Sequence, residues 1–412
     1  MKGEPIENGA VAVVGGDVLA VGDFKKITRN FPIRKFEIVE LGDGLILPGW
    51  VNAHTHLEFS DMEEPLGFPG ISFTDWIRRI VKRRTQSNRL ESDTNSGASK
   101  SLAIRRGLLE SQQAGTWAIG EIATSPFNLN DYMEVDSPIV TRCFYEQLGR
   151  DPSNYPEQAT ELTSFLQQTQ PGQSVFTRGV SPHAPYSVSE FLFNQMQTIS
   201  LASNTPVAMH IAETLEEREL LEKGSGDFVD LLEEFGSWNP SDFNGDISIP
   251  KILDRLSQTE HALIVHGNYL NDIELDFIAS HPKNMSVAFC PRTHRFFKHS
   301  RYPLQKMIDR KINVCLGTDS RASNPDLNLF NEAKEVAATF PELSPLEILK
   351  MATVNGSQAL GLPPYVGTIS ENRPASLNFI SPSENLSALH PTEWVFEQQS
   401  QCVPLLGMKK QD

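Results

Sequence analysis

Trp50-Val51-Asn52-Ala53-His54-Thr55-His56-Leu57 runs from a short apolar stretch into two histidines one residue apart. Side chains alternate faces along a strand, so His54 and His56 point the same way. Two imidazoles on one face at a strand's end can chelate a single ion. Taken alone, the pair reads more readily as two surface or hydrogen-bonded histidines. The rest of the chain decides between these readings.

From about residue 49 onward, short apolar runs alternate with helical stretches. Eight runs read as strands: Trp50–Ala53, Trp117–Ile122, Ile139–Tyr145, Val175–Val180, Pro206–Ile211, Ala262–Val265, Met285–Phe289 and Ile312–Leu316. Apolar residues at helical spacing mark Ile71–Arg84, Leu102–Ala114, Val188–Leu201, Thr214–Lys223 and Phe228–Phe235. Strands alternating with helices imply an α/β protein with a parallel sheet, and eight such units predict a closed (β/α)8 TIM barrel. Barrel sites lie at the C-terminal ends of the strands. His210 comes after Pro206-Val207-Ala208-Met209, His266 after Ala262–Val265, Asp319 after Val314-Cys315-Leu316-Gly317-Thr318, and His183 after Val180-Ser181-Pro182.

The flanks differ. Ala10–Val14 and Val18–Gly22, joined through Gly15-Gly16-Asp17, read as a hairpin. Glu37–Gly42 and Leu45–Leu47 read as further strands, as do Gly367–Ile369 and Ala375–Ile380 after a helical stretch at Ser344–Leu360. The expected organisation is a small β-sandwich built from both chain ends, 1–48 and 362–412, around a barrel at 49–361. Thr85–Lys100, polar and Ser/Asn-rich, and Gly236–Pro250 are expected to be loops.

A chain of 412 residues with 39% hydrophobic and 21% charged residues has an ordinary globular balance. Its formal charge of −16 argues against nucleic acid as a partner. The four cysteines, Cys143, Cys290, Cys315 and Cys402, are scattered and suit a reducing compartment. No signal-peptide pattern or membrane-length apolar run is evident. The expectation is a cytoplasmic protein with a small-molecule substrate and no membrane partner, compatible with a homodimer.

Leu47-Pro48-Gly49-Trp50-Val51-Asn52-Ala53-His54-Thr55-His56, Ser181-Pro182-His183-Ala184-Pro185-Tyr186, Met209-His210-Ile211-Ala212-Glu213, His266-Gly267, Cys290-Pro291-Arg292-Thr293 and Leu316-Gly317-Thr318-Asp319-Ser320 follow one another in order. As a set they resemble the amidohydrolase superfamily, in its branch of aromatic-ring deaminases and chlorohydrolases. The look is nearest to the aminodeoxyfutalosine deaminases and the deaminases of adenosine thioethers.

The resemblance implies one divalent ion on His54, His56, His210 and Asp319, with zinc preferred and ferrous iron also suited to nitrogen and oxygen ligands. Binuclear relatives carry a modified lysine where this chain has His183, and no lysine lies between Lys100 and Lys223. The ion would acidify water so that hydroxide attacks an sp² carbon. Glu213 would shuttle protons, His266 would hydrogen-bond the attacking oxygen, and Asp319 would count as catalytic besides being a ligand. His183, Tyr186 and Trp76 would contact substrate, Trp76 being, with Phe73 and Glu58, among the weaker candidates.

Each role has a plainer counterpart. Glu213 could be a first-turn glutamate on a helix dipole, His266 and His183 packed histidines, and Asp319 a helix N-cap. His294 is placed to reach the pocket, whereas His261, His281 and His390 read as structural. A cation of the basic run Arg78–Arg84, or Arg150, is expected to meet an anionic group on the substrate, the alternative being a solvated helix face. The expected reaction is release of ammonia from an amino-substituted heteroaromatic ring, such as a 6-aminopurine nucleoside of the aminodeoxyfutalosine type. Dechlorination, cyclic-amide hydrolysis and a non-catalytic scaffold barrel are the competing readings.

Overall fold

The computed structural model describes residues 5–31, 34, 36–94, 97–133, 139–168, 175–243, 247–382 and 390–405. Each of the eight apolar runs forms a strand. They are β4 (Trp50–Thr55), β5 (Thr116–Ala123), β6 (Val140–Gln147), β7 (Phe176–Pro182), β8 (Val207–Ile211), β9 (Ala262–His266), β10 (Met285–Phe289) and β11 (Asn313–Leu316). They make one parallel sheet in the order β11-β10-β9-β8-β7-β6-β5-β4. A parallel bridge between Thr55 and Asp319 joins its two edges into a barrel. The Asp319 N–H donates to the His54 carbonyl at 3.0 Å, and Thr55 Oγ1 donates to the Asp319 carbonyl at 3.1 Å. The seam thus runs through the His54-Thr55-His56 motif.

The barrel axis is filled rather than hollow. Val51, Ala53, Phe144, Ala208, Val265 and Cys315 are buried in one cluster, closed below by Ala359 and Leu360. A larger apolar cluster lies between the strands and the surrounding helices. Trp50 opens β4 with its ring stacked on Phe330 at 5.7 Å.

Two antiparallel sheets come from the chain ends. β1 (Gly9–Val14) and β2 (Asp17–Asp23) form the expected hairpin. β3 (Leu45–Pro48), β12 (Leu377–Ser381) and β13 (Gln401–Pro404) form a three-stranded sheet in the order β13-β12-β3. Glu37–Gly42 and Gly367–Ile369 are not strands: the first is largely exposed, and alternation without a pairing partner does not make a strand. Ser344–Leu360 divides into two helices, Pro345–Met351 and Val354–Ala359.

The expected loop at Thr85–Lys100 is the main correction. The helix Phe73–Thr94 runs through its first part and Gly97–Gln113 begins in its last. Ser and Asn are only mildly unfavourable in helices, and no Gly or Pro interrupts residues 73–94. Polarity without a helix breaker is compatible with a helix here. Within Gly236–Pro250 a single 3-10 turn, Pro240–Phe243, and the start of the helix Ile249–Leu256 are described, while 244–246 lie outside the described residues.

Candidate metal centre

The tips of β4, β8, β9 and β11 bring the predicted side chains together. His54, His56 and His210 each offer a ring nitrogen, and these atoms lie within 4.8 Å of one another. Asp319 Oδ1 stands 3.6 Å from His54 Nε2 and 3.7 Å from His56 Nε2. All four residues are buried. Neither ring nitrogen of His54, nor Nδ1 of His56, has a hydrogen-bond partner among the described residues. Buried polar nitrogens left without partners are costly unless something else binds them. His210 Nδ1 lies 2.9 Å from the His183 carbonyl, which fixes the proton there and leaves Nε2 with its lone pair. Burial holds His56 and His210 well below the usual imidazole value. Burial pushes the Asp319 carboxyl up, but the close imidazoles of His54, His266 and His56 outweigh this and hold it below its usual range. Neutral imidazoles beside an ionised carboxylate are the donor forms a divalent ion requires. The residues fit such an ion.

The backbone here is held in unusual conformations. Ala212, His266 and Asp319 have φ of +53°, +67° and +56°, a region that costs a non-glycine residue energy and recurs at functional sites. Tertiary bonds hold these turns. Tyr302 Oη donates to the His266 carbonyl at 2.7 Å, and Asp319 accepts from the Ser320 N–H at 2.8 Å and Ser323 Oγ at 3.1 Å. A Cβ on Gly317 would lie 2.8 Å from His54 Cβ, so this glycine permits the close approach of β11 to β4.

Glu213 joins the cluster. Its Oε1 is 3.3 Å from His266 Nε2, and burial first, then the charges of Asp319 and Glu217, raise its carboxyl well above the usual value. Glu217 accepts from the Ala212 and Glu213 N–H groups at 3.1 and 2.8 Å, and Asn268 Nδ2 donates to the Glu213 carbonyl at 2.9 Å. The turn bearing Glu213 is therefore clamped from both sides.

The substrate candidates divide. The His183 ring centroid is 5.0 Å from that of His210 and 5.6 Å from that of Tyr186. Trp76 stacks on Phe73 and donates Nε1–H to the Ala322 carbonyl at 3.0 Å, in the loop after β11. Arg150 corrects an expectation. Its guanidinium donates to Asp242 and to the carbonyls of Tyr186 and Val188, and it covers the Phe243 ring. With those donors occupied inside the protein, Arg150 fastens two loops and is not set up to meet an anionic substrate. His294 packs against Phe289, Tyr302 and His299.

Within the basic run, Arg78 pairs with Asp75 and Glu234, and Arg83 with Asp61. Arg84 instead turns to Glu58, beside Phe59, with its guanidinium 5.2 Å from that ring. Its charge helps to lower His183 to about 3, after burial as the larger cause. Glu58 is shared with Lys100, whose Nζ is 3.5 Å away.

Two buried carboxyls were missed in the sequence. Glu121 on β5 accepts from the Leu57 N–H at 3.0 Å and from Tyr132 Oη at 3.1 Å, holding the chain just past His56. Glu146, near the end of β6, is raised to about 8, chiefly by burial. It forms a second close group with His183 and His210. Their signal was a glutamate inside an apolar run near a strand's C-terminal end, the rule applied above only to histidine and aspartate.

Similarity to known proteins agrees with this geometry. The family described as "Amidohydrolase family" matches residues 45–410. The chain is 28% identical over 373 residues to an aminodeoxyfutalosine deaminase of a Nitratiruptor species, covering 89% of this chain and 86% of that protein. It is 27% identical to a 5-methylthioadenosine/S-adenosylhomocysteine deaminase of Nitratidesulfovibrio vulgaris, over 91% of this chain and 80% of the other. The crystal structure of Helicobacter pylori aminofutalosine deaminase in complex with methylthio-coformycin superposes with a TM-score of 0.74 at 25% identity, covering 90% of this chain and 86% of that one. A match over most of the chain, on a barrel with these side chains at its mouth, places this protein in the amidohydrolase family.

Proposed function

We propose that the protein is a metal-dependent hydrolytic deaminase of amino-substituted heteroaromatic rings, and that its substrate is a 6-aminopurine nucleoside. His54, His56, His210 and Asp319 would hold the ion. When bound there, a divalent ion supplies Lewis acidity and acidifies water towards neutral pH.

The protein's own groups account for the proton movements. Overall, water adds to the carbon bearing the amino group, a C–O bond forms, the C–N bond breaks, and ammonia leaves a ring carbonyl behind. Glu213, whose carboxyl is raised by burial, gives a proton to the adjacent ring nitrogen. Water sheds two protons in becoming the carbonyl oxygen, and Glu213 takes them in turn, passing one to the departing amine and keeping the other, which restores its carboxyl. His266, 3.3 Å from Glu213, hydrogen-bonds the attacking oxygen and keeps it aligned. That carboxyl–imidazole pair beside four metal-type ligands is the observation that carries this reading. Relatives at 27–28% identity named as deaminases of adenine-type compounds support the nucleoside class.

The finer reading is a nucleoside with an anionic substituent, as in aminodeoxyfutalosine. Arg84 and Lys100 share the carboxylate of Glu58, and the neighbouring Glu146, raised to about 8 chiefly by burial, leaves their second positive charge largely uncancelled near neutral pH, in a chain of net charge −16. A local cationic excess favours an anionic ligand. Metal analysis with an ammonia-release screen over aminopurine nucleosides, other amino-heterocycles and chlorotriazines tests this. Bound metal without ammonia from any member would end the deaminase reading.

A further inference from the structure

Glu146 lies against the metal centre with no part in the reaction above. It is 5% exposed, and its Oε1 has no hydrogen-bond partner among the described residues. One of its oxygens, a ring nitrogen of His183 and a ring nitrogen of His210 all lie within 4.8 Å of one another. Burying a carboxyl oxygen without a partner is expensive and brings folding no return. A ligand that supplies the missing donor accounts for it.

His183 offers a second acceptor. Its Nδ1 is 2.6 Å from Ser187 Oγ, and that hydroxyl donates its own proton to the Ala184 carbonyl at 3.1 Å. The imidazole must therefore carry its proton on Nδ1, leaving Nε2 as an acceptor. Position round the barrel says which end of a substrate meets the pair. Asp319 follows β11 and His54 lies in the adjoining β4, with His56 just past its end, while Glu213 follows β8 and His266 ends β9. Glu146 lies in β6 and His183 just past β7, on the far side from β10 and β11. A substrate reacting between the ligands and Glu213 directs its other end towards them.

We propose that Glu146 and His183 bind a vicinal diol on the substrate, each accepting one hydroxyl, as two neighbouring hydroxyls of a furanose would provide. Adjacent hydroxyls carry two donors at short, fixed spacing, which suits a carboxyl and an imidazole brought this close together. A second divalent cation is the competing occupant. It would need His210 as a third ligand, but Nδ1 of that ring is held at the His183 carbonyl and Nε2 serves the first ion. The hydroxyl reading is the better match. It rests on the nucleoside reading above.

The test compares metal-loaded wild-type protein with Glu146→Gln and His183→Gln, with metal content measured on all three. Binding of inosine and of 2′,3′-dideoxyinosine is followed by calorimetry, and ammonia release from adenosine and 2′,3′-dideoxyadenosine by rate. The wild type should prefer the diol-bearing member of each pair by about tenfold or more. Both variants should reduce that preference to about twofold while keeping their metal. A wild type indifferent to the diol, or variants that keep the preference, would overturn the proposal, as would loss of a metal equivalent in Glu146→Gln. Equal ammonia release from both adenosines sinks only the diol pair, whereas no release from any nucleoside sinks the nucleoside reading beneath it.

Discussion

Glu213 Oε1 stands 3.3 Å from His266 Nε2, and the two residues follow neighbouring strands whose ends are held in the left-handed region at Ala212 and His266. The contact exists because Glu217, Asn268 and Tyr302 hold those turns from outside the pocket. The proposed proton carrier and its proposed aligning imidazole are thereby held in fixed relation to each other.

Glu213→Gln keeps the shape of the side chain but cannot carry a proton. Its kcat should fall by about 10²–10⁴-fold, with KM within a few-fold and metal content unchanged. Near-normal turnover would remove Glu213 from the proton path.

Asp319→Asn and His54→Asn should each purify with less bound metal than the wild type. Chelation should lower the wild-type melting temperature, because an ion bound only by the folded state contributes about 4 kcal/mol when present at a thousand times its dissociation constant. Full metal content in both variants would show that the ion lies elsewhere.

Glu217 tests the clamp and its pH dependence together. Burial, the largest cause, raises its carboxyl from 4.5 to about 7 against the hydrogen bonds it accepts from the backbone of Glu213, Ala212 and Thr214. A carboxyl raised on folding contributes stability that is full below about 4.5 and lost as pH climbs through about 7. Melting temperatures of Glu217→Gln should therefore vary less over that window than those of the wild type. An amide has one acceptor oxygen for two N–H groups, so kcat should also fall about tenfold. An unchanged pH profile and unchanged kcat would count against the clamp.

Arg84 and Arg150 should separate recognition from architecture. Arg84→Gln should reduce the preference for a carboxylated aminopurine nucleoside over its neutral ester by about tenfold, with the ester's turnover little changed. Arg150→Met leaves Asp242 without its partner and should cost about 3 kcal/mol of stability without altering that preference. Equal treatment of acid and ester by the wild type would remove the anionic substituent from the proposed substrate.

The eight barrel strands, the hairpin at Gly15-Gly16 and the convergence of His54, His56, His210 and Asp319 were legible from the chain alone. Alternation, apolar runs and the position of a residue at a strand's end are local properties, and in a parallel barrel those ends converge whatever the loops do. The helix through Thr85–Thr94 was misread because polar composition resembles a loop when no breaker is weighed. Which arginine turns inward was not legible. Arg84 and Arg150 differ only in partners from distant parts of the chain, Glu58 for one and Asp242 for the other. Glu146 likewise became a pocket residue only when β6 and β7 paired and the barrel closed. Sequence thus determined where the chemistry sits, since strand geometry carries that information. Tertiary structure decided which charges face it, because pairing and burial depend on contacts that no local pattern encodes.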